Sequence, residues 1–420
     1  MANFIVHGGQ KLSGEVTVSG SKNATLPIMC AALLIKCKVI LENVPNIEDI
    51  HSMAKILAGF GAKIIFKNNI LEIDATALKG KNTPNDLVKK MRASILILGP
   101  LIQRFGEVKM AFPGGCVLGK RSVHAHTHAL KELGCEILDD QKGLHIKAKK
   151  LQGKKIVLPE LSVTATENAI MAAVLAEGET EIRLAACEPH VQDLCNFLCK
   201  MGAKISGIGT NNVKIKGVKT LKGGKYTITG DYLEAGTFAI AAVATKSNIT
   251  IKGINPDHLD SFWQKLEEIG GKFKLSKSAV EIFPGKELHA TKMLRTAVYP
   301  SFATDLQAPF TVLLTQAHGV SKIFETLFEG RLNYLFELEK MGAHIEFLNP
   351  HQALIIGPGK LKSLPISSCD IRAGAAMVIA ALIAEGTTEI SNIYYIDRGY
   401  EKLDEKLRSL GAKIDRALAL

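Results

Sequence analysis

The chain of 420 residues is 47% apolar and 22% charged, and it carries a formal net charge of +11. That is an ordinary globular composition, long enough for two domains with a core each. Aromatic residues make up only 6%, and the lysines lie between elements instead of along one helix or strand; both argue against nucleic acid and for small phosphorylated ligands as partners of the positive charge.

Residues 1–14 show neither the basic start nor the apolar run of a secretory signal. The longest apolar runs, 93–102 and 375–384, reach about half the length of a membrane span. The expectation is a cytoplasmic protein with no membrane partner. Eight cysteines, at 30, 37, 116, 135, 187, 195, 199 and 369, are spread along the chain and mostly lie in apolar segments, so free buried thiols are expected and no disulfide framework. Cys195 and Cys199, four apart on a predicted helix, and His124, His126 and His128 have spacings that suit a metal. No further ligands accompany them, and no metal site is expected.

Taken in chain order, one pattern returns six times. A helix ends in a glycine and a strand follows: Phe60-Gly61-Ala62-Lys63-Ile64, Leu133-Gly134-Cys135-Glu136-Ile137, Met201-Gly202-Ala203-Lys204-Ile205, Ile269-Gly270-Gly271-Lys272-Phe273, Met341-Gly342-Ala343-His344-Ile345 and Leu410-Gly411-Ala412-Lys413-Ile414. The glycines are 73, 68, 68, 72 and 69 residues apart, which marks internal repeats. Each fits the position just past a helix, where a left-handed backbone is cheap only without a side chain. Upstream comes a helix of small apolar residues (27–35, 169–176, 238–244, 375–384), then a short β-branched strand (180–182, 248–251, 388–390), then a loop and an amphipathic helix (193–201, 400–410). The first helix is apolar nearly all round and belongs inside; the second belongs outside. Six such βαβαββ-like units group three and three into an α/β protein of the α+β type, with two domains whose interior helices are surrounded by sheets and outer helices.

Two places in each unit collect the chemistry. At the start of the first helix stand Ser21-Lys22-Asn23, Met91-Arg92-Ala93, Ser162-Val163-Thr164, Asp231-Tyr232, Thr304-Asp305-Leu306 and Asp370-Ile371-Arg372. Before the second helix stand Val44-Pro45, Cys116 to Arg121, Glu188-Pro189, Asn255-Pro256-Asp257, Glu329-Gly330-Arg331 and Asp397-Arg398. Helix starts offer unpaired amides, and added cations make them anion sites. Capping explains Asp231, Asp305 and Asp370 as readily as function does. It does not explain Lys22, Arg92, Arg121 or Arg372, because a basic residue is unfavourable at a helix start. In Phe112-Pro113-Gly114-Gly115-Cys116-Val117-Leu118-Gly119-Lys120-Arg121, one thiol sits on a glycine-rich loop beside two cations. The stretch reads either as a turn with an incidental cysteine or as a movable loop with a reactive thiolate.

Over essentially its whole length the chain resembles the enolpyruvyl transferases, in particular the branch whose acceptor is UDP-N-acetylglucosamine. The resemblance is carried by Gly20-Ser21-Lys22-Asn23-Ala24, Met91-Arg92-Ala93-Ser94, Pro113-Gly114-Gly115-Cys116, Ala165-Thr166-Glu167-Asn168, Thr304-Asp305-Leu306-Gln307-Ala308 and Tyr395-Ile396-Asp397-Arg398-Gly399-Tyr400-Glu401. It implies domains over 22–229 and over 1–21 with 230–420, and an active site in the cleft between them. It implies further that Lys22, Arg121 and Arg398 hold the phosphate of phosphoenolpyruvate, that Asn23 reaches toward phosphate and sugar, and that Arg331 and Arg372 help hold phosphoenolpyruvate. The UDP-sugar falls to Asn23, Arg92, Arg121, Ser122, Val123, His124, Ala125, Ser162, Val163, Asp305 and Leu327. Asp305 is the implied general base and Cys116 the implied acid or covalent nucleophile, with Lys22 and Arg398 completing the catalytic set. No metal and no organic cofactor is implied.

The chain departs from the family pattern where the nucleotide is expected. The usual Arg-Pro-Val-Asp-Leu-His is Arg121-Ser122-Val123-His124-Ala125-His126 here, and the usual Ser-Val-Gly is Ser162-Val163-Thr164. A frequent basic residue before that segment is Glu160, an Arg before Glu188 is Cys187, and an Asn before Arg331 is Gly330. The alternatives are an enolpyruvyl transferase for another acceptor and a non-catalytic copy that binds a nucleotide sugar. The Pro-Gly-Gly-Cys loop argues against the shikimate-pathway enzyme.

Overall fold

The computed structural model describes residues 2–79, 85–89, 91–114, 122–138 and 143–418. The chain forms two compact units, one from 2–19 with 230–418 and one from the described residues of 20–229, and it crosses between them at residues 19–20 and 229–230. Each unit has one apolar core.

Six inner helices come from the small, apolar segments. In 20–229 these are α1 (Lys22–Ala31), α2 (Leu98–Phe105, entered through the 3-10 turn Arg92–Ile97) and α3 (Val163–Ala173). In the other unit they are α4 (Tyr232–Ala244), α5 (Thr304–Leu314) and α6 (Ile371–Ile383). Nearly every residue of α4 and α6 is buried, as an all-round apolar surface requires. The outer helices Glu48–Gly59, His124–Glu132, Pro189–Lys200, Asp260–Glu268, Leu335–Lys340 and Leu403–Ser409 bury one face only. Each runs out at one of the six spaced glycines, Gly61, Gly134, Gly202, Gly270, Gly342 and Gly411, whose φ angles lie between +92° and +103°. The repeat is therefore a repeat of helix ends.

Each repeat contributes a small sheet of one order. Lys155–Val157 pairs parallel with Glu179–Arg183, which pairs antiparallel with Asn212–Lys216, which pairs antiparallel with Lys204–Ser206. Five sheets have four strands in this arrangement, and the sheet of Glu107–Ala111, Gly143–Lys147 and Glu136–Leu138 has three among the described residues. Two parallel edge strands have traded places. Ser13–Thr17 precedes α1 but pairs with Asn248–Lys252, and Gly224–Thr227 precedes α4 but pairs with Lys38–Glu42. The amino-terminal strand Ala2–His7 completes the sixth repeat, lying between Thr387–Ser391 and Lys413–Leu418. Each unit is thus closed by strands from distant parts of the chain.

Charge divides unevenly between the units. Residues 20–229 hold 30 Lys and Arg against 18 Asp and Glu, while the rest of the chain holds 22 against 23. Among the described residues no helix is long and apolar enough to cross a membrane, and the seven described cysteines are free thiols.

Candidate active site

Three acids stand near inner-helix starts in the unit built from 230–418, and they part company. Asp231 caps α4, its Oδ1 accepting from the amides of Leu233 (2.9 Å) and Glu234 (3.2 Å). Asp370 caps α6 in the same way, accepting from Arg372 and Ala373 at 2.7 Å each. Asp305 stands two residues inside the cap position Ala303 of α5, and its carboxylate is shared by two guanidinium groups, Arg331 through Oδ1 and Arg372 Nε through Oδ2 at 3.1 Å. Capping therefore accounts for Asp231 and Asp370 but not for Asp305.

Both arginines are nearly enclosed, at 4% and 3% exposure. Arg331, from the 3-10 turn Glu329–Tyr334, donates through Nε to Thr304 Oγ1 (3.2 Å), and Thr304 donates to Glu325 (2.9 Å). Its guanidinium lies 5.3 Å from the centroid of the Phe328 ring. Arg372 lies 5.1 Å from the ring centroid of Tyr400, whose hydroxyl meets Thr237 at 2.9 Å. Burial works against both charges, but Asp305, Asp370 and Glu325 around Arg331, and Tyr400, Asp305 and Asp231 around Arg372, turn the net pKa shifts upward. Arg372 Nη1 is buried with no hydrogen-bond partner among the described residues.

Arg398 follows the short helix Tyr394–Asp397, which packs against the first turn of α6 because two side chains are missing. A Cβ at Gly374 would lie 2.5 Å from Ile396 Cγ1, and one at Gly399 would lie 2.3 Å from Ile371 Cγ2. Glycine at both positions lets the turn bearing Arg398 approach the helix start bearing Arg372. Leu327 is an exposed apolar residue two positions beyond Glu325, to whose Oε1 its amide donates at 2.9 Å.

In 20–229, Ser21 caps α1 by accepting from Ala24 N (3.3 Å), and Lys22 opens the helix at 9% exposure. Lys22 Nζ is 3.4 Å from Asp49 Oδ2, and Asn23 is half-buried beside it. Arg92 donates through Nη2 to the carbonyl of Ser122 (2.8 Å). Ser122 Oγ accepts from His124 N (3.0 Å), and the Val123 carbonyl accepts from His126 N and Thr127 N, so 122–125 form a tight lead into the helix His124–Glu132, with Ala125 buried and His124 exposed. Ser162 and Val163 open α3, and two contacts of the His126 ring, to Thr164 and Asn168, bring that start beside 122–125. This unit thus gathers Arg92, Ser122, Val123, His124 and Ala125 with Ser162 and Val163. Cys116, Lys120 and Arg121 lie outside the described residues. The His124 and His128 ring centroids are 6.1 Å apart, and no group of His, Cys, Asp or Glu among the described residues could hold a metal ion.

Several residues of these clusters escaped the sequence reading. Asp49 looks like an ordinary acid in the first turn of an outer helix, where the helix dipole favours it. Thr304 and Tyr400 stand in the motifs quoted above without any sign of their partners, and Glu325 carries no signal of its own: Thr304 accepts from Arg331 and donates to Glu325, and the Tyr400 ring lies against Arg372. In the sequence His126 stands out only as a metal-ligand candidate and as the end of the nucleotide segment 121–126. Its burial under the 122–125 lead could have been inferred from Ala125 and Ala129, which mark the buried side of that helix.

Comparison with known proteins places the chain in a family. The family profile described as EPSP synthase (3-phosphoshikimate 1-carboxyvinyltransferase) matches residues 6–407. UDP-N-acetylglucosamine 1-carboxyvinyltransferase 1 from Caldanaerobacter subterraneus subsp. tengcongensis is 45% identical over 413 residues, 98% of this chain and 99% of the relative. The protein named UDP-N-acetylglucosamine 1-carboxyvinyltransferase from Methylacidiphilum infernorum is 44% identical, with 99% of both chains covered. The crystal structure of the enolpyruvyl transferase NikO from Streptomyces tendae shares the fold at a TM-score of 0.90 with 24% identity, covering 100% of this chain and 99% of that one. EPSP synthase from Acinetobacter baumannii shares it at 0.77 with 18% identity and full coverage of both. With relatives this similar over nearly its full length and a family profile matching residues 6–407, the chain belongs to the enolpyruvyl transferase family of enzymes.

Proposed function

We propose that this enzyme transfers the enolpyruvyl group of phosphoenolpyruvate to the 3-hydroxyl of UDP-N-acetylglucosamine and releases phosphate. That reaction is the first committed step of peptidoglycan synthesis, which would give the protein a cytoplasmic place in cell-wall construction and, through it, in cell shape and division. The observation that carries the reading is the Asp305 carboxylate between Arg331 and Arg372, in a chain 45% identical to a named UDP-N-acetylglucosamine 1-carboxyvinyltransferase.

Phosphoenolpyruvate brings a phosphate and a carboxylate, and both need cations. Lys22, Arg121 and Arg398 take the phosphate with help from Asn23, and Arg331 and Arg372 take the remaining charge. A carboxylate shared by two guanidinium groups is a weak base. When the substrate oxygens occupy those donors, Asp305 is released to accept the 3-hydroxyl proton. The sugar oxygen then bonds to C2 of phosphoenolpyruvate while Cys116 gives its proton to the methylene carbon, or the Cys116 thiol first adds across the double bond, sulfur to C2 and proton to the methylene carbon, and the sugar oxygen then displaces the sulfur from C2 as a thiolate. Loss of a proton from the new methyl group expels phosphate and leaves the enol ether. The UDP-sugar is held by Arg92, Arg121, Ser122, Val123, His124, Ala125, Ser162, Val163 and Leu327. The proposed ligands are carried by both units of the chain.

The test is phosphate release from phosphoenolpyruvate with UDP-N-acetylglucosamine, other nucleotide sugars and shikimate 3-phosphate as acceptors, with the product identified by NMR. Release with UDP-N-acetylglucosamine and an enol ether at its 3-position are expected. Release only with another acceptor would move the reading to a paralogous transferase, which the replacement of an acid by His124 in the nucleotide segment would then explain. Release with none would leave a binding protein.

A further inference from the structure

We propose that the hydrogen bond between Thr164 and His126 sets the spacing of the two segments that grip the nucleotide end of the acceptor, which makes Thr164 a positioning residue for acceptor affinity. This rests on the acceptor-site reading above. The bond has a fixed direction. Asn168 Oδ1 accepts from Gly99 N (2.9 Å), so its amide nitrogen is the atom that faces Ile95 O and His126 Nδ1, both at 2.9 Å. Nδ1 is therefore an acceptor. His126 is 1% exposed, and burial holds it neutral, so its single ring proton is on Nε2 and is donated to Thr164 Oγ1 at 3.1 Å.

The consequence lies in what this chain of contacts joins. Ile95 and Gly99 belong to the stretch that begins with Arg92, His126 follows His124 and Ala125 by a residue or two, and Thr164 follows Val163 directly. One buried imidazole thus ties together the three pieces of this unit assigned to the UDP-sugar, two from its second repeat and one from its third. Thr164 is the only one of these contacts that sits at the helix start itself, on the second residue of α3, where a change of one bond moves Ser162 and Val163 against 122–125. A glycine, which the family pattern carries at this position, has no atom that could make the bond.

The experiment is steady-state kinetics of the full chain as wild type, Thr164→Val, Thr164→Ala and Thr164→Ser, with UDP binding by calorimetry and thermal midpoints on the same samples. Valine keeps the shape and removes the hydroxyl. Loss of one such bond predicts a KM for UDP-N-acetylglucosamine raised by about three- to tenfold and UDP binding weakened in proportion, with kcat and the KM for phosphoenolpyruvate changed less than about twofold. Serine should restore wild-type values, and alanine should behave as valine. A KM for the UDP-sugar unchanged in valine and alanine, or a loss spread equally over both substrates and kcat, would overturn the inference. If the wild type neither turns over UDP-N-acetylglucosamine nor binds UDP, the acceptor-site reading falls first and this inference falls with it.

Discussion

Residues of one type do different work here according to what touches them. Asp231 and Asp370 hold backbone amides, while Asp305, at nearly the same point of its repeat, holds two arginines that are 26 and 67 residues away in sequence. A helix-start acid is compatible with either role, so the sequence left that choice open and only the tertiary partners close it. The same holds for histidine. The ordinary imidazole pKa of 6.5 falls to about 3 at His126, first through burial and then through Arg92. A folded-state pKa below the unfolded one means that the neutral ring stabilises the protein fully above pH 6.5 and that this contribution drains away as pH falls toward 3. The ring nitrogens of His126 should therefore show no titration by NMR between about pH 8 and 4.5. A midpoint near 6.5 would show an exposed imidazole and undo the Thr164 argument. Burial acts on the thiols in the opposite sense, pushing Cys135, Cys195 and Cys369 up to about 12, Cys30 well above its ordinary value, and raising Cys187 and Cys199. Cys37 is exposed and is the natural competitor of Cys116. The phosphoenolpyruvate-mimicking epoxide fosfomycin should label Cys116 once per chain, with protection by phosphoenolpyruvate and no change in Cys37→Ser. Peptide mapping that found label on the buried thiols would count against the proposed role of Cys116.

At the scale of elements, what was legible was whatever recurs locally. The six glycines mark helix ends because the left-handed turn excludes other side chains, and the inner helices declare themselves by small apolar residues on every side. Pairing between distant strands was not legible. Nothing in Ser13–Thr17 or Gly224–Thr227 says that each will join the sheet of another repeat, since a parallel edge strand needs only a complementary partner at the right distance. The repeats also expose a local misfit. The residue after the second strand takes a left-handed backbone in Asn43 (φ 58°), Gly253 (82°) and Asn392 (56°), residues that tolerate it, but the same position is Leu184 (54°), 44% exposed. Leu184→Asn should stabilise the protein by about 1 kcal/mol and raise the thermal midpoint of its unit by about 2–4 °C, because little packing is lost. Destabilisation in a calorimetric scan would mean that the leucine side chain has a partner that outweighs its backbone strain.

For the whole molecule the uneven charge matters more than its total. Residues 20–229 carry 30 basic against 18 acidic side chains, and both proposed substrates are anions. Charge of one sign around a site speeds the encounter and is screened within about 8–10 Å at ordinary ionic strength. The value of kcat/KM should accordingly fall several-fold between about 50 and 300 mM salt, with kcat nearly constant. A salt-independent kcat/KM would show that encounter is not guided by this field. As the proposed base, Asp305 has to leave two arginines to take a proton. Asp305→Asn keeps the shape and removes the base. Phosphate release from phosphoenolpyruvate and UDP-N-acetylglucosamine should fall by about 10²- to 10⁴-fold in this variant while UDP-N-acetylglucosamine still binds, and release at the wild-type rate would contradict the account.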